Sequence, residues 1–248
     1  MAHTVVVVPC YNEARRLAVD LFRQHAAAAN GTRFLFVDDG SQDDTSGVIR
    51  PLCEEQPATF DLLPLPCNVG KAEAVRQGFL KAFDMKPARV AFWDADLATP
   101  LGALPEFQQV LGERPDVDMV FGARVQLLGR QITRHAWRHY IGRCFATVVS
   151  IMLRMPIYDT QCGAKMFRRT PLLEEVFQQP FLSRWVFDVE IIARFARLRR
   201  VARLPPAQEA IYELPLKRWT DIAGSKLKWT DFFKAMADLA RIYRAYGR

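Results

Sequence analysis

Four short apolar runs punctuate the first half of the chain, and each stops at a residue that ends a buried strand. Val5–Val8 stops at Pro9, Phe34–Val37 at Asp38-Asp39-Gly40-Ser41, Val90–Trp93 at Asp94, and Met119–Phe121 at Gly122. Continuous runs of this length, without polar alternation, suit strands buried on both faces of a parallel sheet. Between them the spacing predicts helices over Ala14–Ala29, Asp43–Glu55, Lys71–Phe83 and Leu101–Leu111, with Asp43 or Asp44 capping the second. Strand alternating with helix predicts an α/β fold on a doubly wound, mostly parallel sheet.

The second half reads as mainly helical. Apolar residues follow helical spacing from Trp137 through Tyr140, Ile141, Cys144, Phe145, Val148 and Met152 to Met155, with Arg134, Arg138 and Arg143 among them. Trp229, Phe232, Phe233, Met236, Leu239, Tyr243 and Tyr246 repeat the pattern at the end of the chain, opposite Lys234, Arg241 and Arg244. Two arrangements fit such helices: an apolar face on the core with a solvated basic face, or an apolar face in a membrane surface with arginines at the headgroups. No internal repeat or linker-like stretch divides the chain, so residues 1–248 read as a single domain.

Composition narrows the class. With 50% hydrophobic and 25% charged residues among 248, and only 13 Gly and 15 Pro, the chain is neither disordered nor collagen-like. The longest stretch without a formal charge, Met1–Asn12, falls short of the about 20 residues a spanning helix needs, and no signal peptide is evident. Five cysteines without a CxxC pair argue against a disulfide framework or zinc ribbon and for a reducing compartment. The net charge of +7 divides unevenly. Residues 1–122 hold 11 Lys+Arg against 17 Asp+Glu, and residues 123–248 hold 23 against 10, which is −6 and +13. The second half is therefore suited to an anion and the first to a cation.

Ligands of a parallel sheet bind beyond the carboxyl ends of its strands. Those ends here carry Pro9-Cys10-Tyr11-Asn12-Glu13, Asp38-Asp39-Gly40-Ser41 and Asp94-Ala95-Asp96. Carboxylates gathered on one edge are costly unless a cation or donors compensate them. Asp94 and Asp96, two residues apart just past a strand, suit a hard divalent ion such as Mg²⁺ or Mn²⁺ that bridges phosphates. Asn68-Val69-Gly70-Lys71 opens a helix and would bring Lys71 near a phosphate. It lacks the spacing of a Walker A loop.

Together these segments resemble the ordered motifs of family 2 glycosyltransferases, which have the GT-A fold and use nucleotide sugars. Asp159-Thr160-Gln161-Cys162-Gly163 with Lys165, the segment Arg184–Glu190, and Gly224-Ser225-Lys226-Leu227 are similar to the dolichyl-phosphate β-glucosyltransferase branch. The resemblance implies that residues 1–122 bind the nucleotide sugar and the basic residues 123–248 the acceptor. Pro9, Tyr11 and Glu13 would line the nucleotide pocket, Asp39 would meet the base, Asp38 would support the loop, and Lys71 would lie near the nucleotide. Asp94 and Asp96 would hold the metal on the diphosphate. Arg124 with Arg138, Ser225 and Lys226 would hold phosphates, and Gln161, Asp188 and Glu190 would border the sugar. Two departures stand out: no membrane helix precedes the first strand, and Ala72-Glu73 stand where the family has glycine after the lysine.

The implied reaction is inverting transfer of glucose from UDP-glucose to a polyprenyl phosphate, such as dolichyl or undecaprenyl phosphate. A different nucleotide sugar such as GDP-mannose, or a soluble acceptor, is the alternative. A phosphate acceptor is already anionic and needs no strong base, while Asp188 could serve as one for a hydroxyl. The implied cofactor is Mg²⁺ or Mn²⁺. Peripheral attachment to the cytoplasmic face of a membrane is expected, and nucleic acid is not, because acidic strand ends would repel it.

Overall fold

The computed structural model describes residues 3–28, 31–133, 136–221 and 229–247, with 136–141 and 229–233 described by backbone alone. The strands are β1 (Thr4–Cys10), β2 (Thr32–Asp38), β3 (Phe60–Pro64), β4 (Arg89–Trp93), β5 (Met119–Ala123), β6 (Gln131–Thr133), β7 (Ala164–Arg168), β8 (Ile211–Pro215) and β9 (Arg218–Thr220). The helices are α1 (Val19–Ala28), α2 (Thr45–Glu55), α3 (Lys71–Asp84), α4 (Leu104–Glu113), α5 (Ala136–Leu153), α6 (Pro171–Gln178), α7 (Phe187–Val201) and α8 (Trp229–Tyr246). Seven strands form one sheet in the order β3-β2-β1-β4-β7-β5-β8, and β6 pairs with β9 apart from it. β7 alone runs antiparallel, between β4 and β5.

The apolar runs are continuous because both faces of the sheet are covered. Val5, Val7, Leu35, Val37 and Phe92 pack on α3, α6 and α7, while Val6, Val8, Phe34, Phe36 and Trp93 pack on α1, α2 and α4. The second half is less purely helical than its pattern predicts, since β7 and β8 complete the main sheet. Ala164 and Met166 of β7 face one layer and Phe167 the other, with Lys165 fully buried between them.

The terminal helix turns its apolar side inward. Ala235, Leu239 and Ile242 of α8 join Phe145 and Val149 of α5 and Val189 and Ala193 of α7 in a third cluster. Lys234, Arg241 and Arg244 stay exposed. Core packing thus accounts for the buried apolar residues described in α8. Helix α1 starts later than its apolar window predicts, because the Leu17 and Arg16 N–H groups first close a turn on the Glu13 carbonyl.

Candidate active site

The parallel topology sets the ends of β2, β1 and β4 side by side, and antiparallel β7 brings the loop before it to the same edge. The Asp94 N–H donates to the Gly163 carbonyl at 2.9 Å, which fixes the acidic turn against that loop. A Cβ on Gly163 would overlap the Asp94 carboxylate. Gly163→Ala is therefore expected to displace Asp94 and lower turnover at least tenfold while leaving the thermal melt within a few degrees of wild type, checked by initial rates and circular dichroism.

At β2, Asp38 accepts hydrogen bonds from the Ser41 N–H at 3.0 Å and from the Ser46 hydroxyl. Asp39 turns to the neighbouring loop, accepting from Val69 N–H at 2.8 Å, Gly70 N–H at 2.9 Å and Asn68 Nδ2 at 3.0 Å. Three of a carboxylate's roughly four acceptor positions are thus occupied within the protein. Burial pushes the Asp39 carboxyl up, against the pull of those N–H groups and of Arg184. Gly70 holds φ at +96°, which suits glycine, and a Cβ there would meet Arg184 Nε at 2.7 Å. Arg184 opens a segment that carried the resemblance but had no role of its own there; its guanidinium also reaches Asn68 Oδ1 at 3.4 Å.

At β1, Tyr11 is exposed, Pro9 half-buried, and Glu13 is held by Arg16 at 2.7 Å. Burial raises the Glu13 carboxyl despite that pairing. Just past β4, Asp96 accepts from the Ala98 N–H at 3.0 Å, and burial followed by the negative charge of Asp94 raises its carboxyl. Lys71, first residue of α3, contacts Asp94 at 2.5 Å. Desolvation works against the ammonium, but Asp94, Asp188 and Asp96 overcome it and raise its pKa. Ala72 is buried in the core and Glu73 holds Arg76 at 2.7 Å, so the two departures after the lysine serve packing and an ion pair.

A buried pair lies beneath. Lys165 is 0% exposed, contacts Asp188 Oδ1 at 2.6 Å and donates to the Cys162 carbonyl at 2.5 Å. Its ammonium stands 5.0 Å from the Phe92 ring centre and 5.2 Å from that of Phe121. Burial raises the Asp188 carboxyl, and Lys165 and Lys71 oppose it. Lysines and carboxylates thus alternate from Lys165 through Asp188 and Lys71 to Asp94. Lys165 carried the resemblance but no role; a lysine inside the strand-like stretch Ala164–Phe167, needing an acid to balance it, is the signal that marks it.

Two expected site residues have partners within the protein. Arg124 is ion-paired: its Nε and Nη2 grip Asp159 at 2.6 and 2.8 Å, and its guanidinium stacks 5.2 Å from the Trp219 ring centre. Glu190 is 0% exposed, paired with Arg194 at 2.7 Å and accepting from the Leu182 N–H at 2.8 Å. Gln161 sits beside the Arg124–Asp159 pair, its N–H donating to Asp159 at 3.1 Å. Its Nε2 and the neighbouring Thr160 hydroxyl are buried without a hydrogen-bond partner among the described residues. Arg138 falls in α5, its side chain outside the described ones; Ser225 and Lys226 lie outside the described residues.

Burial alone would raise the Asp159 carboxyl, yet Arg124 brings it down to about 2 from 3.8. A carboxyl lowered on folding adds stability above its unfolded pKa and loses it as pH falls through the folded one, here from about 4 to about 2. At about 1.4 kcal/mol per unit, the contribution is about 2 kcal/mol. Asp159→Asn is expected to remove that segment of acid sensitivity, read as urea-unfolding stability between pH 4 and 2.

The family model for Glycosyl transferase family 2 matches residues 5–175. A dolichyl-phosphate beta-glucosyltransferase of Drosophila melanogaster is 34% identical over 236 residues, covering 90% of this chain and 68% of that protein. Its namesake in Saccharomyces cerevisiae is 31% identical over 261 residues, covering 97% and 74%. Among solved structures, glucosyl-3-phosphoglycerate synthase from Mycobacterium tuberculosis in complex with UDP superposes with a TM-score of 0.65 at 17% identity, covering 98% of this chain and 80% of that one. Fold and matched motifs define a glycosyltransferase of GT-A architecture. The chain belongs to glycosyl transferase family 2.

Proposed function

We propose that this enzyme moves glucose from UDP-glucose to a dolichyl or other polyprenyl phosphate, inverting the anomeric carbon to give a β-linked lipid-phosphate sugar. The observation that carries the reading is 30–34% identity to dolichyl-phosphate beta-glucosyltransferases of fly, yeast and slime mould across 90–97% of the chain.

In this reading residues 1–122 hold the donor and 123–248 the acceptor. Pro9, Tyr11 and Glu13 line the nucleotide, and Asp39 offers its remaining acceptor position to the base. Asp94 and Asp96 would hold a divalent cation, Mg²⁺ or Mn²⁺, against the diphosphate. The donor set fits: two close carboxylates, one of them raised by burial and by its neighbour, gain from a hard cation that completes its shell with phosphate oxygens. Glucosyl-3-phosphoglycerate synthase was crystallised with Mn²⁺ and UDP-glucose. When bound, such an ion offsets the charge that builds on the departing diphosphate. Lys71 supplies a second positive charge at that edge. The unpartnered Gln161 Nε2 and Thr160 hydroxyl offer donors to sugar hydroxyls. The acceptor phosphate, anionic at neutral pH, attacks the face opposite the leaving group without a base. Asp188, bound to Lys165, then orients groups around the sugar instead of removing a proton. Arg124 would meet a phosphate only by sharing its guanidinium with Asp159, so Arg138, Ser225 and Lys226 carry more of that role.

No helix among the described residues is long and apolar enough to cross a membrane. Attachment to the cytoplasmic face of a membrane is accordingly proposed as peripheral. The test is nucleoside diphosphate release in the presence of dolichyl phosphate and Mn²⁺. Release from UDP-glucose at least 100-fold faster than from GDP-mannose is expected. Preference for GDP-mannose, or rates independent of the lipid, would contradict the reading.

A further inference from the structure

The C-terminal ends of α5, α7 and α8 enclose a cleft of about 470 Å³. It is remote from the catalytic edge: Asp188 lies in the first turn of α7 and Arg200 in the last, about 18 Å apart at 1.5 Å per residue. Its apolar lining includes Met152, Met155, Ala196 and Ile242, and Arg154, Arg199, Arg200 and Arg203 also line it, with no Asp or Glu among the described residues that do. Arg199 is tied to Asp118 at 3.0 Å. The exposed Arg154, Arg200 and Arg203 make no ion pair among the described residues.

Two of these arginines occupy costly backbone positions. Arg154 and Arg203 both have φ of 55°, just past the ends of α5 and α7, where glycine is the usual residue. A left-handed conformation disfavours any residue with a Cβ. The sequence accepts that cost twice and thereby sets two cations at one opening. Around them lie exposed apolar side chains: Ile151 at 73%, Val201 at 74%, Leu204 at 43% and Tyr243 at 48%. Exposed aliphatics at helix ends beside unpaired arginines give a surface that is apolar and cationic together. A free phosphate would use only the arginines, whereas an amphiphilic anion uses both parts.

We propose that this cleft binds an anionic phospholipid of the bilayer. The headgroup phosphate sits on Arg154, Arg200 and Arg203, and the first acyl carbons cover the apolar lining. Val201, Leu204 and Ile151 enter the boundary between headgroups and chains. The site is separate from the acceptor site and holds whether or not the acceptor is a lipid.

The experiment is co-sedimentation of the full chain at 0.15 M salt, without donor or acceptor. Vesicles of phosphatidylcholine alone are compared with vesicles containing about one-third phosphatidylglycerol. Binding is expected to the anionic vesicles only. Since one basic residue near such a surface contributes roughly fivefold, the triple variant Arg154→Gln/Arg200→Gln/Arg203→Gln should lose on the order of 100-fold. The triple Arg15→Gln/Arg50→Gln/Lys86→Gln, which removes the same charge elsewhere on the surface, should lose much less. Val201→Ser/Leu204→Ser should weaken vesicle binding at unchanged net charge, and circular dichroism melts verify folding of each variant. Failure of the wild-type chain to bind, equal loss in both charge triples, or full release by millimolar inorganic phosphate would overturn the proposal.

Discussion

Asp96→Ala is expected to lower sugar transfer by about 10²–10³-fold, the usual loss when one group that stabilises developing charge is removed. The fold should survive, because among the described residues the Asp96 carboxylate accepts a single hydrogen bond, from the Ala98 N–H at 3.0 Å. Without a cation, Asp96 and Asp94 repel each other, and burial adds to that cost. The variant should therefore melt at or slightly above the wild-type temperature in chelator. With Mn²⁺ and UDP the order should reverse: wild type gains stability by mass action and the variant gains little. Thermal melts in the two conditions, beside the rates, check both halves. A variant that is stabilised as strongly as wild type by Mn²⁺ and UDP would remove Asp96 from the metal site.

Lys165 should show the second large effect. Removing one partner of a buried ion pair typically costs about 3–5 kcal/mol, because the other charge is left without compensation. Lys165→Met and Asp188→Leu should each fall in that range, read from urea unfolding. Combining them removes both charges from the layer between Phe92 and Phe121, and the double variant should recover most of the loss. Activity should not return with it under the proposed role of Asp188 in orienting groups around the sugar. If stability and transfer recovered together, Asp188 would be a packing residue only.

Much of this architecture was legible because the first half of the sheet obeys a simple rule: strands covered on both faces read as unbroken apolar runs. That rule exposed β1, β2, β4 and β5, and with them the edge where Asp38, Asp39, Asp94 and Asp96 gather. It failed for β7, where Lys165 interrupts the run, and for β8, whose residues are all half-buried. Helix α7 escaped for a related reason: Asp188, Glu190, Arg194 and Arg199 are buried within it, so it has no polar face of ordinary kind. The site divides the same way. Acidic residues just past strands announced themselves, and so did Lys71, but its pairing with Asp94 and the burial of Lys165 against Asp188 did not. Arg124 and Asp159 are 35 positions apart, and only the antiparallel insertion of β7 brings them together. Arg124 therefore read as a phosphate ligand without its Asp159 partner in view, and Glu190 as a neighbour of the sugar without its bonds to Arg194 and Leu182.

The most direct test of the central claim is sugar transfer into an organic phase. Purified protein, UDP-glucose labelled in the sugar, Mn²⁺ and dolichyl phosphate would be incubated and partitioned into butanol, with Asp96→Ala in parallel. Label should enter the lipid phase as a β-linked glucosyl phosphate, depend on the lipid, and fall by at least 10²-fold in the variant. Label confined to free glucose or to a water-soluble product, with the lipid unmodified, would contradict a lipid-phosphate glucosyltransferase.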